Sequence, residues 1–305
     1  MTLYGIYFDL SYAKELGMNE IGLFTDVHHH FNPLKEHDAS WSLRCKTGFS
    51  HTDWEISKTL DMLNENNIQR CVLSYPMHYF MLNSAERVGL CEITNERMAE
   101  ITSKYEQLGS FAVLPFLAGK EEEIQALEYA LDVLEMDGVI LPTEILNKEY
   151  EHGELYEELN RRKATVFVHP DISTLETGSR VGFTGYATKV THAAFHLAFN
   201  KIVLKYPHIK FIMSYGGGKI PFYFNFLKYK IPENRAVYQY RIDRMLRRLY
   251  FDTAYPAKEL DMLSYLIDFV DMSQITLGSN FPYFPHGQIK KLRKNKYWQI
   301  FFNGV

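Results

Sequence analysis

The chain has 305 residues, 46% of them hydrophobic, with a formal net charge of −4. That suffices for one large core and lacks the basic excess of a nucleic-acid or membrane-surface binder. Its three cysteines, Cys45, Cys71 and Cys91, form no C-x-x-C pair and no even set, which points to a reducing compartment. No apolar run approaches a bilayer span, and residues 1–20 lack the basic start and apolar core of a leader, so a cytoplasmic location is expected.

In chain order, residues 1–20 read as an N-terminal extension and 21–305 as a single domain. Short β-rich runs are predicted at 21–28, 71–75, 111–115, 138–142, 165–169, 210–214, 249–252 and 275–278. Several end at glycine, proline or a polar turn residue, as strand exits do. Helical periodicity fills the gaps at 54–66, with Asp53 as its cap, and at 95–107, 121–135, 154–163, 189–205 and 257–269. Eight strands alternating with helices at this length predict an α/β fold of the (β/α)₈ TIM barrel type. The rival, an open doubly wound sheet, would want a glycine-rich phosphate turn after the first strand, where this chain has histidines. The long segments 32–52 and 171–188 follow strand exits and are candidate site walls.

Chemistry in such a barrel gathers where strands end. The first strand ends in Asp26-Val27-His28-His29-His30. Alternation along a strand puts Asp26, His28 and His30 on one face and His29 on the other. Two imidazoles at that spacing can grip one ion, and the fifth strand ends at His169, able to join them. Three neutral imidazoles plus water make a workable zinc site, which would acidify water and polarise a substrate carbonyl or carboxylate. His192 and His196, four apart on a helix, lack the glutamate of H-E-x-x-H and read as helix surface or packing. The basic run from Lys290 to Lys296 reads as a solvated helix face.

Taken together, the motifs Thr25–Pro33, 72–76, 167–170, Tyr215-Gly216-Gly217-Gly218, 250–253 and Gly278-Ser279-Asn280-Phe281-Pro282 resemble the amidohydrolase-related group of the amidohydrolase superfamily. That group includes 2-amino-3-carboxymuconate-6-semialdehyde decarboxylase and γ-resorcylate decarboxylase. The resemblance implies a barrel with one divalent metal, usually zinc, held by His28, His30 and His169. It implies decarboxylation or hydrolysis of a small carboxylated, often aromatic, substrate, and a homodimer.

The chain departs from that pattern at two positions. Tyr215 stands where the group has a histidine that acts on metal-bound water. Asn280 stands where it has an aspartate that binds the metal and moves protons. A carboxamide oxygen can touch a metal but cannot serve as a base near neutral pH. A phenol is a poor proton acceptor unless a metal acidifies it. Tyr215 and Asn280 are therefore the candidate catalytic residues in altered roles. Arg44 is the candidate carboxylate clamp, and Phe281 a candidate pocket wall with Tyr283 and Phe284. The alternative is a degenerate barrel that has lost its ion and binds a ligand or partner without turnover.

Overall fold

The computed structural model describes residues 25–31, 55–75, 82–146, 152–171, 182–223, 242–254 and 260–283, the side chains of 182–184 and 260–263 excepted. The N-terminal extension, Asp53, Arg44, Phe284 and the basic run at 290–296 lie outside the described residues. Among the described residues, no helix is long and apolar enough to cross a membrane.

Eight strands form one parallel sheet in sequence order: β1 (Thr25–His30), β2 (Arg70–Ser74), β3 (Leu108–Ala112), β4 (Gly138–Pro142), β5 (Thr165–His169), β6 (Lys210–Met213), β7 (Tyr250–Asp252) and β8 (Ile275–Thr276). Bridges from Asp26 to Leu277 and from His29 to Phe281 join the last strand to the first and close the sheet into a barrel. Val166, Phe167 and Val168 are buried in succession, as expected of strands packed on both faces. Phe111, Phe167, Phe211 and Phe251 are among the largest fully buried side chains, and the rings of Phe111 and Phe167 stack at 5.6 Å.

Helices α1 (Ile56–Asn66), α2 (Ser84–Thr102), α3 (Lys120–Glu128), α4 (Thr143–Leu146), α5 (Gly153–Arg161), α6 (Gly182–Phe199), α7 (Ile202–Lys205) and α8 (Leu260–Phe269) alternate with the strands. Helix α1 has Glu55 at its N-cap position, with no side-chain cap bond among the described residues. Helix α2 begins eleven residues before the predicted start, at a capping box in which Asn83 and Glu86 satisfy each other's backbone N–H. The helix predicted at 121–135 ends its α-helical part at Glu128 and runs on as a π-turn over Tyr129–Val133. The one predicted at 189–205 starts earlier, at Gly182, and breaks at Lys201, which takes a left-handed φ of 58°.

Strand β1 carries the feature that matters for the site. Asp26 pairs with Cys71 and His29 with Leu73, so β1 spends three steps where β2 spends two. Such a bulge breaks strict alternation. Asp26 therefore does not share the face of His28 and His30. Its carboxylate accepts from His29 Nδ1 at 3.1 Å, from the Ser279 backbone N–H at 2.9 Å, and from the Ser279 hydroxyl.

Candidate metal centre

His28 and His30 project inward from β1, and His169 ends β5. One ring nitrogen from each lies within 4.8 Å of the other two, and all three residues are buried. Each imidazole is held by its other nitrogen. His28 Nδ1 sits 2.5 Å from Asp252 Oδ2 at the end of β7. His30 Nδ1 sits 3.2 Å from the Ser74 hydroxyl, which itself donates to the His29 carbonyl. His169 Nδ1 donates to the Pro170 carbonyl at 2.8 Å. These partners assign the proton to Nδ1 on all three rings, so every Nε2 turns a lone pair inward.

The donor set fits a divalent ion. His28 Nε2 and His30 Nε2 are 3.0 Å apart. Two nitrogen lone pairs facing at that distance repel unless a cation or shared proton lies between them. Two tetrahedral zinc ligands would stand roughly 3.3 Å apart, close to this spacing. A shared proton is disfavoured. Burial, reinforced by the neighbouring His28, holds His30 and His169 well below the usual imidazole range.

Asp252 is the member that sequence reasoning did not assign. Besides His28 it binds the backbone N–H groups of Gly216 and Ala254, at 3.1 and 3.2 Å through Oδ1. One buried carboxylate thus ties β7, the turn after β6 and the inward-facing His28 ring of β1. The carboxylate-terminated strand Tyr250-Phe251-Asp252 was a visible signal, since inward carboxylates at barrel strand ends are where ligands and their supports sit.

Tyr215 and Asn280 both reach the cluster, and both adopt a left-handed φ of 52°. Non-glycine residues there are uncommon, and such strain gathers at functional sites. The Tyr215 hydroxyl lies 3.3 Å from His169 Nε2, and its ring stacks on Tyr186 at 5.6 Å. Burial pushes its phenol well above its ordinary value, with the nearby Tyr186 adding to the effect. The turn that aims it is sterically exacting. Gly218 takes a φ of +67°, and a Cβ there would meet the Ala187 carbonyl oxygen at 2.0 Å. Asn280 is anchored by its backbone N–H to the His28 carbonyl at 2.7 Å. Its buried Oδ1 has no hydrogen-bond partner of normal geometry among the described residues. An orphaned carboxamide oxygen beside three inward lone pairs is a further donor suited to an ion.

Phe281 does not line the cluster as expected. The bridge between His29 and Phe281 turns its ring onto His29, with centroids 4.8 Å apart. His29 itself points away from the triad, as alternation predicts, and its Nε2 meets Thr59 of α1 at 2.9 Å. Tyr283 takes the place expected of Phe281, its ring 5.3 Å from that of His30. His192 is exposed, and half-buried His196 bonds within its own helix to Asn200 at 3.2 Å. Behind His169, Glu144 accepts from the Asp171 backbone N–H at 2.8 Å and pairs with Lys189 of α6 at 2.7 Å. That pairing fixes the β5 exit against the helix that carries Tyr186.

No protein-family model matches the chain. A solved amidohydrolase II superposes with a TM-score of 0.73 at 23% identity, covering 88% of this chain and 90% of that one. That likeness shows a shared (β/α)₈ barrel fold. A second solved barrel, the dihydroxybenzoic acid decarboxylase of Polaromonas sp. JS666, was solved with manganese and the inhibitor 2-nitroresorcinol. It superposes at 0.64 with 15% identity over 89% of each chain. By sequence, a 6-methylsalicylic acid decarboxylase of Penicillium expansum is 27% identical over 280 residues, covering 87% of this chain and 86% of that protein. The resemblance read from the strand-end motifs thus extends along most of the chain and includes decarboxylases.

Proposed function

We propose that the chain is a metal-dependent decarboxylase of a small aromatic carboxylate. The observation that carries this reading is the convergence of His28, His30 and His169 with all three Nδ1 atoms already engaged. Relatedness to a 6-methylsalicylic acid decarboxylase supports decarboxylation over hydrolysis. Zinc is the ion this donor set favours, because Asn280 brings a neutral oxygen where a carboxylate would favour manganese. The ion, when bound, would supply positive charge against the substrate carboxylate and any adjacent ring oxygen.

The chain's own residues would do the rest. Asp252 keeps the His28 lone pair inward. Tyr215, aimed by the glycine turn, presents a hydroxyl toward the cluster and holds a proton at Oη. Tyr186 and Tyr283 flank the triad with aromatic surface that suits a ring and excludes water. Arg44 remains a proposed carboxylate clamp. Replacing CO₂ requires delivery of one proton to the ring carbon, and Asn280 has none to give, so Tyr215 is the residue proposed to deliver it.

One observation favours the non-catalytic alternative. The Tyr215 hydroxyl lies within hydrogen-bond reach of the very His169 nitrogen that an ion would need. Metal analysis of protein purified without chelator separates the two readings. About one equivalent of zinc, with CO₂ release from a hydroxybenzoate panel, supports the enzyme. Absence of bound metal, and no uptake on titration, leaves the binding barrel.

A further inference from the structure

The opposite end of the barrel, where strands begin, holds a pocket of 880 Å³. Arg70 at the start of β2, Thr165 at the start of β5 and Lys210 at the start of β6 all face it. The four steps from Thr165 to His169 put it about 13 Å from the histidine cluster along β5.

Its charge is uneven. Arg70 is matched by Asp137 at 2.5 Å, and Arg162 by Asp132 at 2.7 Å, by Glu128 at 3.8 Å and by Glu158. Lys163, Lys210 and Arg248 also line the pocket and have no ion pair among the described residues. Three cations without an ion pair among the described residues thus share one concavity in a chain whose net charge is −4. A concave wall of low dielectric focuses such a field and raises the local concentration of anions. Lys210 is half-buried, so its ammonium loses solvation with no ion-pair partner among the described residues to offset the loss. Burial accordingly lowers its pKa.

We propose that this basal pocket is a binding site for a small phosphorylated anion, held by Lys163, Lys210 and Arg248. A single carboxylate would leave most of the surplus charge unmatched. A phosphoryl group, with close to two negative charges and three acceptor oxygens, matches one arginine fork and two ammonium groups. The site lies apart from the histidine cluster and is independent of the decarboxylase reading.

Isothermal titration of the full-length, metal-loaded protein with inorganic phosphate at about 50 mM NaCl tests this. Binding in the millimolar range or tighter is expected, weakening as salt rises. The Lys210→Met/Arg248→Met variant keeps both apolar stems and should bind at least tenfold more weakly, while Lys210→Arg should bind as the wild type does. If circular dichroism shows the double variant unfolded, Arg248→Gln, at an exposed position, decides instead with an expected weakening of about threefold. Wild-type protein that shows no phosphate binding up to 10 mM overturns the proposal. Binding that the substituted, folded proteins retain undiminished overturns it as well, since the phosphate would then sit elsewhere.

Discussion

Replacing Asp252 with Asn is the sharpest probe of the proposed metal site, because it changes a proton position while leaving the shape almost untouched. The Asp252 carboxylate accepts two backbone N–H groups through Oδ1 and the His28 ring through Oδ2. In Asp252→Asn, the amide oxygen stays with the two backbone donors, which leaves the NH₂ facing His28 Nδ1. Two donors cannot share that contact, so His28 turns tautomer, accepts at Nδ1 and carries its proton on Nε2. Nε2 is then blocked as a ligand. Metal binding must restore the original tautomer, break the new bond from the Asn amide and leave two buried donors facing each other, at a cost of about 1–3 kcal/mol. At about 1.4 kcal/mol per decade that is roughly a 5- to 150-fold loss of affinity, close to the range expected for a partner that orients a ligating histidine. A competition titration against a chromophoric zinc chelator reads it directly, with thermal melts confirming that the fold is kept. An affinity within twofold of wild type would refute the tautomer argument and with it the role given to Asp252.

Other outcomes follow from the same geometry. Asn280→Asp should tighten metal binding by about tenfold or more, because a carboxylate replaces a neutral oxygen already beside the site; unchanged affinity in the chelator competition would place residue 280 out of reach. Tyr215→Phe should leave metal content intact and lower decarboxylation by roughly 10²- to 10⁴-fold, the span typical of a lost proton donor; equal turnover would remove Tyr215 from the reaction. The metal-free protein should lose stability as pH falls below about 6.5. There the unfolded histidines protonate while buried His30, His169 and His152 resist, so the unfolded state binds more protons. His152, lowered to about 4 chiefly by burial, alone contributes about 2 kcal/mol of that loss at pH 5. Urea midpoints at pH 7 and 5 measure it, and identical midpoints would contradict the burial argument.

The barrel was legible because buried parallel strands announce themselves as short apolar runs with polar exits. Residues 138–142 and 165–169 match the strands residue for residue. The histidine triad was legible for the same reason: strand ends converge in this architecture whatever the loops do. What escaped was local register and partnership. The bulge between Asp26 and His29 leaves no compositional mark, so strict alternation put Asp26 on the face of His28 and His30 when it braces His29 and Ser279. At the same seam the Phe281 ring lies against His29, a contact no periodicity announces. The pairing of Asp252 with His28 spans 224 positions and no periodicity encodes it. The start of α2 was readable in principle, since Asn83 and Glu86 have capping-box spacing, but apolar periodicity alone pointed further along.

The seam between β1 and β8 has a consequence for how the protein comes into being. Ser279 N–H reaches Asp26, and Asn280 N–H reaches the His28 carbonyl, across some 250 intervening positions. The first of the proposed ligands to be synthesised are thus among the last to be fixed in place. A nascent or truncated chain that stops short of residue 280 carries all three histidines, yet lacks the segment after β8 that clamps two of them through Asn280 and Phe281. Acquisition of the ion would then report on completion of the barrel, and such long-range closure makes for slow folding.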